Sequence, residues 1–147
     1  MKEKKNIKRL WNTAFGYMIA ASAAGVFYRE YTKWNGFTGE TMLGYVHTHL
    51  FVLGMFLFLL LALTCRNEKE LLEFKGFKRF YILHNIALPF MAGMMIVRGI
   101  VQVQGTELSN AADAAISGMA GISHILMAIS LVMFFVTMKK YFIKGND

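Results

Sequence analysis

The chain has 147 residues, 56% of them hydrophobic, with a single cysteine and a formal net charge of +7. Together with a positive mean hydropathy, this places it outside the soluble globular range and leaves room for one domain. The basic charges flank apolar segments instead of forming a patch, which excludes nucleic acid as a partner.

Four segments lack Asp, Glu, Lys and Arg: Leu10 to Tyr28, Met42 to Thr64, Phe80 to Val97 and Ala114 to Met138. Each is close to the roughly 20 residues that span a bilayer, and inside hydrocarbon the backbone must satisfy itself as helix. The expected fold is an all-α membrane protein. One domain, 1–147, holds four transmembrane helices at about 10–31, 42–64, 80–103 and 113–138.

The first segment is too long for the apolar region of a signal peptide and runs into Arg29 and Glu30, so it is read as a retained helix. Ala20 with Ala24, and Ala21 with Gly25, give it small faces for close packing against another helix or a flat ligand. The second segment opens GYVHTHLFVLGMF and carries His47 and His49. Its inner end holds the lone Cys65, which has no internal disulfide partner. CRNEKELLEFKGFKR follows and reads as a short interfacial helix ending near Gly76. The third segment contains His84, Pro89, where a kink is expected, and a Met-rich core stretch at Met91 to Met95; Arg98 follows directly, still inside the expected helix 80–103. Asn110 or Asp113 is the expected cap of the fourth, which carries Ser117, Gly118, Gly121 and His124.

Lys2, Lys4, Lys5, Lys8 and Arg9 precede the first helix. Arg66, Lys69, Lys75, Lys78 and Arg79 separate the second from the third, and Lys139, Lys140 and Lys144 follow the fourth. The connection from Gln104 to Asp113 has no basic residue. Positive charge stays inside, so both termini are expected in the cytoplasm, with helices running up, down, up, down. A secondary role for these charges is to grip anionic lipid.

All four histidines fall within the expected spans. Burying one in hydrocarbon costs a few kcal/mol, so such residues usually face the bundle interior and mark ligands, pathways or partners; a neutral histidine bonded to a neighbouring helix is the plainer explanation. Residues two apart on a helix point about 200° from each other, so His47 and His49 cannot share one metal on a straight helix. The less costly arrangement sets the second helix between two interior sites, and an oligomer supplies the second. Counted from the outer ends, His47, His49 and His124 lie in the same outer half. His84 is expected near the cytoplasmic side as a structural or interfacial residue.

Arg98 either snorkels to the outer headgroups or pairs with haem propionates, with Gln102 and Gln104 adding hydrogen bonds. Imidazole suits iron, copper and zinc alike. The spans hold no carboxylate and show no cluster of three histidines, whereas a porphyrin needs only one or two axial histidines and an apolar slot, for which Leu50, Phe51, Leu53, Phe56 and Phe58 are available. Haem fits better than a bare metal. Without a Cys-x-x-Cys-His run it is held by ligation and packing alone.

HTHLFVLGMF resembles the haem-liganding tenth helix of the catalytic subunit of haem-copper oxidases, where a His-x-His pair precedes an aromatic residue, aliphatic residues and a glycine. The chain resembles one of the three four-helix arcs of that subunit. It also looks like a small four-helix family of bacterial membrane proteins and shares its His-x-His motif with nitric-oxide-response membrane proteins. The resemblance implies a homotrimer of twelve helices in the bacterial plasma membrane, with haem b near the subunit boundaries. His47 and His49 would ligate separate haems, His124 would be a further candidate ligand, and Arg98 would hold propionates. An iron would take His47 of one chain and His49 of the next, or one of these with His124.

The oxidases' copper site has no counterpart here beyond His84-Asn85, and their proton-channel carboxylates and lysines are missing. A complete oxygen or nitric oxide reductase is therefore not expected, and no catalytic residue is assigned. The expected function is electron transfer, or sensing of a diatomic gas or redox state, with quinone as a further partner. A small transporter or channel using the same histidines is the alternative, followed by a structural subunit.

Overall fold

The computed structural model describes residues 2–144, and among them there is no strand. The side chains of Lys2, Lys4, Lys5 and Lys144, four of the flanking charges, lie outside the described residues. Four long helices follow one another: α1 (Lys2–Trp34), α2 (Leu43–Asn67), α3 (Lys75–Gln104) and α4 (Asn110–Lys144). All four expected helices are present, and all but α2 extend well past their uncharged segments because flanking charged residues also favour helix where water can solvate them.

The ends have local causes. Gly36 and Gly105 take left-handed backbone, φ +59° and +60°, and terminate α1 and α3. Their neighbours' amides return to the last turn, Phe37 N–H to the Thr32 carbonyl at 2.9 Å and Thr106 N–H to the Val101 carbonyl at 3.3 Å. Only glycine adopts that backbone without strain. At the head of α2 the Met42 amide donates to the Gln102 side chain at 2.8 Å, and the Thr41 hydroxyl donates to the Gly99 carbonyl at 3.0 Å. Gln102 is thus engaged within the fold. Ser109, not Asn110 or Asp113, caps α4, accepting the Ala112 amide on its hydroxyl. The connection after α2 contains a 3₁₀ turn, Lys69–Leu72, with Leu71 and Leu72 buried. Gly76 lies in the first turn of α3 and ends no helix. Pro89 sits inside α3, which continues through it to Gln104.

Neighbouring helices run antiparallel. A Cβ added at Gly44, Gly25 or Gly54 of α2 and α1 would approach Tyr28, His47 and Tyr17 in turn; Gly99 approaches Leu43, and Gly76 approaches Thr137. α1, α2 and α3 form a three-cornered core. One buried cluster joins Leu10, Ala14, Phe58, Leu61, Cys65, Phe77 and Phe80; the other joins Ala21, Val46, Leu50, Leu88, Met91 and Met95. α4 lies against α3 on the outside: 44% of the most apolar stretch of α3 is buried but only 17% of that of α4. Met91, Met94 and Met95 are buried, as expected of core filler.

α2, α3 and α4 are long and apolar enough to cross a membrane. α1 falls short of that threshold because Asn12, Thr13, Tyr17 and Ser22 dilute it. Two of these polar groups turn inward: Thr13 bonds the Tyr81 hydroxyl at 2.8 Å, and Tyr17 donates to Asn85 at 3.0 Å. Burial in partnered form removes most of the penalty of carrying them through an apolar environment.

Candidate functional site

The middle of α2 departs from α-geometry. Leu50–Phe56, immediately after His49, is a π-helical segment. The buried positions of α2 explain why. Leu43, Val46 and Leu50 carry the three-then-four spacing of a packing seam, and so do Phe58, Leu61 and Cys65. Phe58 comes eight positions after Leu50, where a continuous seam needs seven. The wider turn absorbs the additional residue, as π-bulges do, and brings both seams onto one face. Gly54 sits in the widened turn against α1, where a Cβ would lie 2.5 Å from Tyr17 Cγ.

Four histidines occupy three distinct environments. His84 is completely buried. Its Nε2 lies 2.8 Å from the Leu53 carbonyl, inside the π segment, and its Nδ1 lies 3.0 Å from the Ser130 hydroxyl of α4. A carbonyl only accepts, so Nε2 carries a proton and donates to Leu53; in the neutral ring Nδ1 then receives the Ser130 O–H, and both nitrogens are used. Phe58 and Phe80 hold it from two sides at 5.4 and 5.1 Å between ring centres. His84 lies in the bundle core, about nine residues, or roughly 14 Å, along α3 from Lys75, with both ring nitrogens bonded within the protomer.

His49 and His124 share another pattern. Each donates Nδ1–H to the carbonyl four residues earlier, Tyr45 at 2.7 Å and Ala120 at 2.8 Å. That fixes the tautomer and leaves the Nε2 lone pair outward, the state in which a metal-ligating histidine is held by its surroundings. His49 is half-buried; His124 is exposed on α4 among exposed Ile122, Ile125 and Ile129.

His47 is different again. It lies beside Gly25 of α1, where an added methyl would touch its Cβ and Cγ at 3.7 Å, and its Nδ1 is buried without a hydrogen-bond partner among the described residues. An unpartnered buried nitrogen costs about 1–3 kcal/mol. The Ala21 and Gly25 face therefore packs against α2 beneath this ring. Among the described residues, a Cβ added at Gly118 or Gly121 of α4 would meet nothing within 4 Å.

His84, Leu53 and Ser130 define one level across three helices. Along the helix axes His47 and His124 both stand roughly 9 Å above it, and His49 roughly 6 Å, at about 1.5 Å per residue. The three candidate ligands thus share a layer about 3 Å thick, on different faces of the protomer. Among the described residues no group of three or more His, Cys, Asp or Glu converges. The apolar slot is not assembled within the chain either: Phe58 is buried in the core, Phe51 and Leu53 are half-buried, and Phe56 is exposed.

Arg98 finds its anion inside the chain. It donates to the Asp113 carboxylate at 2.6 Å and to the Ser117 hydroxyl, bridging α3 and α4 at the end where α2 begins. A cleft of about 410 Å³ opens beside it, lined by Gln102, Thr106, Asn110 and Asp113. Local sequence gives Asp113 only a capping role; it becomes the partner of Arg98 because the α3–α4 hairpin brings back a residue fifteen positions on.

No curated protein and no solved structure matches the chain. The profile of a family described as a protein of unknown function, DUF2871, matches residues 7–141, from the first turns of α1 to the end of α4. That span takes in His47, His49, His84, Arg98 and His124, and the chain belongs to this family.

Proposed function

We propose that this is a multi-pass protein of the bacterial plasma membrane that holds b-type haem through His47, His49 and His124, for electron transfer or for sensing a diatomic gas or redox state. The observation that carries it is the layer of three histidines, each with a ring nitrogen uncommitted, at a depth where an unpartnered imidazole is costly. His49 and His124 offer Nε2 with Nδ1 already anchored, and the orphaned Nδ1 of His47 marks a ring whose needs the protomer does not meet.

The donor set suits a porphyrin better than a bare ion. A bare zinc or copper site needs three or four protein ligands on one point, whereas haem brings four nitrogens and asks one or two from the protein. The group would supply reversible one-electron chemistry at iron. His47, His49 and His124 would hold it. The Arg98 guanidinium, with donors left beyond Asp113 and Ser117, would neutralise propionates.

This arrangement calls for an oligomer, a trimer by the resemblance. His47 and His49 sit on opposed flanks of α2, His124 faces outward, and Gly118 and Gly121 leave the outer face of α4 flat enough for close helix contact. All four helices cross the bilayer in this reading, with α1 shielded by its inward hydrogen bonds and both termini cytoplasmic.

Oxidised and dithionite-reduced spectra of the detergent-purified protein, with a pyridine haemochrome count, test the proposal. Sharp reduced α and β bands near one haem per chain are expected. A protein that stays colourless with haem supplied during expression overturns it and leaves a transporter or a structural subunit.

A further inference from the structure

The residue that sets the direction of the candidate ligands is on another helix. We propose that His84 is the positioning residue of the site: by donating to the Leu53 carbonyl it holds the π turn of α2, and the π turn fixes the rotation of His47 and His49. The consequence for haem rests on the functional reading above; the positioning itself does not.

The place of the π segment and the anchored lower seam carry it. The π segment begins at the residue after His49 and contains Leu53. A π turn has one residue more than an α turn, so it displaces everything before it by about 100° relative to everything after it. The lower seam, Phe58, Leu61 and Cys65, is anchored in the core. If the turn relaxed to α-geometry over that anchor, His47 and His49 would swing by about that angle, and Leu43, Val46 and Leu50 would leave their seam.

The wide turn is also held open. The Leu57 amide, which would return to Leu53 in an α-helix, goes to Gly54, and the Leu53 carbonyl receives His84 at 2.8 Å. Ser130 fills the opposite nitrogen, which leaves Nε2 as the only protonated one and aims it at Leu53. The ring cannot turn away, because Phe58 and Phe80 pack on it. His84 therefore links α3 and α4 to the pitch of α2 at a single atom, one to two turns below the candidate ligands. On the second flank Tyr17 packs directly on Gly54 within the widened turn, where a Cβ would lie 2.5 Å from its Cγ.

The test uses full-length protein in detergent, wild type and the variants His84→Leu, His84→Gln and Ser130→Ala, each checked for wild-type elution on size exclusion. Gln keeps an N–H for Leu53; Ser130→Ala removes only the support of the donor and serves as the graded variant if Leu does not fold. Ring ¹⁵N resonances of His47 and His49 are recorded in haem-free protein, and electron paramagnetic resonance g-values after haem is supplied. In His84→Leu both ring resonances are expected to move, with g-values shifted or haem occupancy reduced several-fold, and His84→Gln is expected to restore most of each. Unchanged ring resonances in His84→Leu and Ser130→Ala overturn the positioning role whether or not haem binds. Moved resonances with unchanged g-values and occupancy overturn its consequence for the ligands. A wild type that takes up no haem fails the functional reading alone, and the ring resonances still decide the role of His84.

Discussion

Arg98 and Asp113 form a 2.6 Å ion pair across the turn between α3 and α4, with Ser117 one helical turn further on completing the hold on the guanidinium. The pair is partly exposed, 26% for the Arg98 side chain and 54% for Asp113. Its contribution to stability is therefore about 1 kcal/mol or less. Asp113→Asn should lower the unfolding free energy by no more than that and leave haem retention near wild type, since Arg98 is then freed. Arg98→Leu should weaken haem retention or shift its potential as well. Equal behaviour of the two variants, measured by haemochrome count and redox titration, would assign Arg98 to the ion pair alone.

The histidine layer gives the second prediction. His47→Ala and His49→Ala should each reduce haem per chain to a small fraction of wild type while the protein remains in the membrane, because replacing a ligand removes coordination and not the helix. Coexpressed, the two variants should recover part of the haem only if ligands from different chains share an iron. Full retention in both single variants would remove them as ligands.

For His124, which is exposed on α4, the outcome turns on whether a second copy of the chain covers that face. His124→Ala is expected to leave the monomer fold intact, since the ring bonds only its own helix. Loss of haem in that variant would place α4 at the site, and unchanged haem would leave His47 and His49 as the ligand pair.

Helix contacts separate along the glycines. Gly54→Ala would push a methyl to within 2.5 to 2.8 Å of the Tyr17 side chain at its stiff end, and overpacking of this kind destabilises by about 1–3 kcal/mol. Adding Tyr17→Ala should recover part of the loss in thermal unfolding. Gly118→Ile and Gly121→Ile, which meet only open space within the chain, should leave the protomer unaffected and weaken the oligomer. Native mass spectrometry reads that outcome; an unchanged oligomer would move the interface away from the outer face of α4.

The charges by themselves determined the four helices and their order. Lys, Arg, Asp and Glu are too costly in an apolar environment to fall inside the spans, so their absence marks where helices lie, and Arg98 stood out as the exception. The opposed directions of His47 and His49 also follow from spacing alone. Packing partners did not follow. α2 is apolar on every side from Leu50 to Leu63, so no hydrophobic periodicity reveals which face is buried, and the additional residue between its two seams is invisible until burial is known. Only the tertiary structure decided that the surplus becomes a π turn, that His84 fastens it through Leu53, and that Asp113 returns across a hairpin to meet Arg98. Each of these depends on contacts between residues distant in sequence, where fit and the need to partner buried polar groups outweigh local preference.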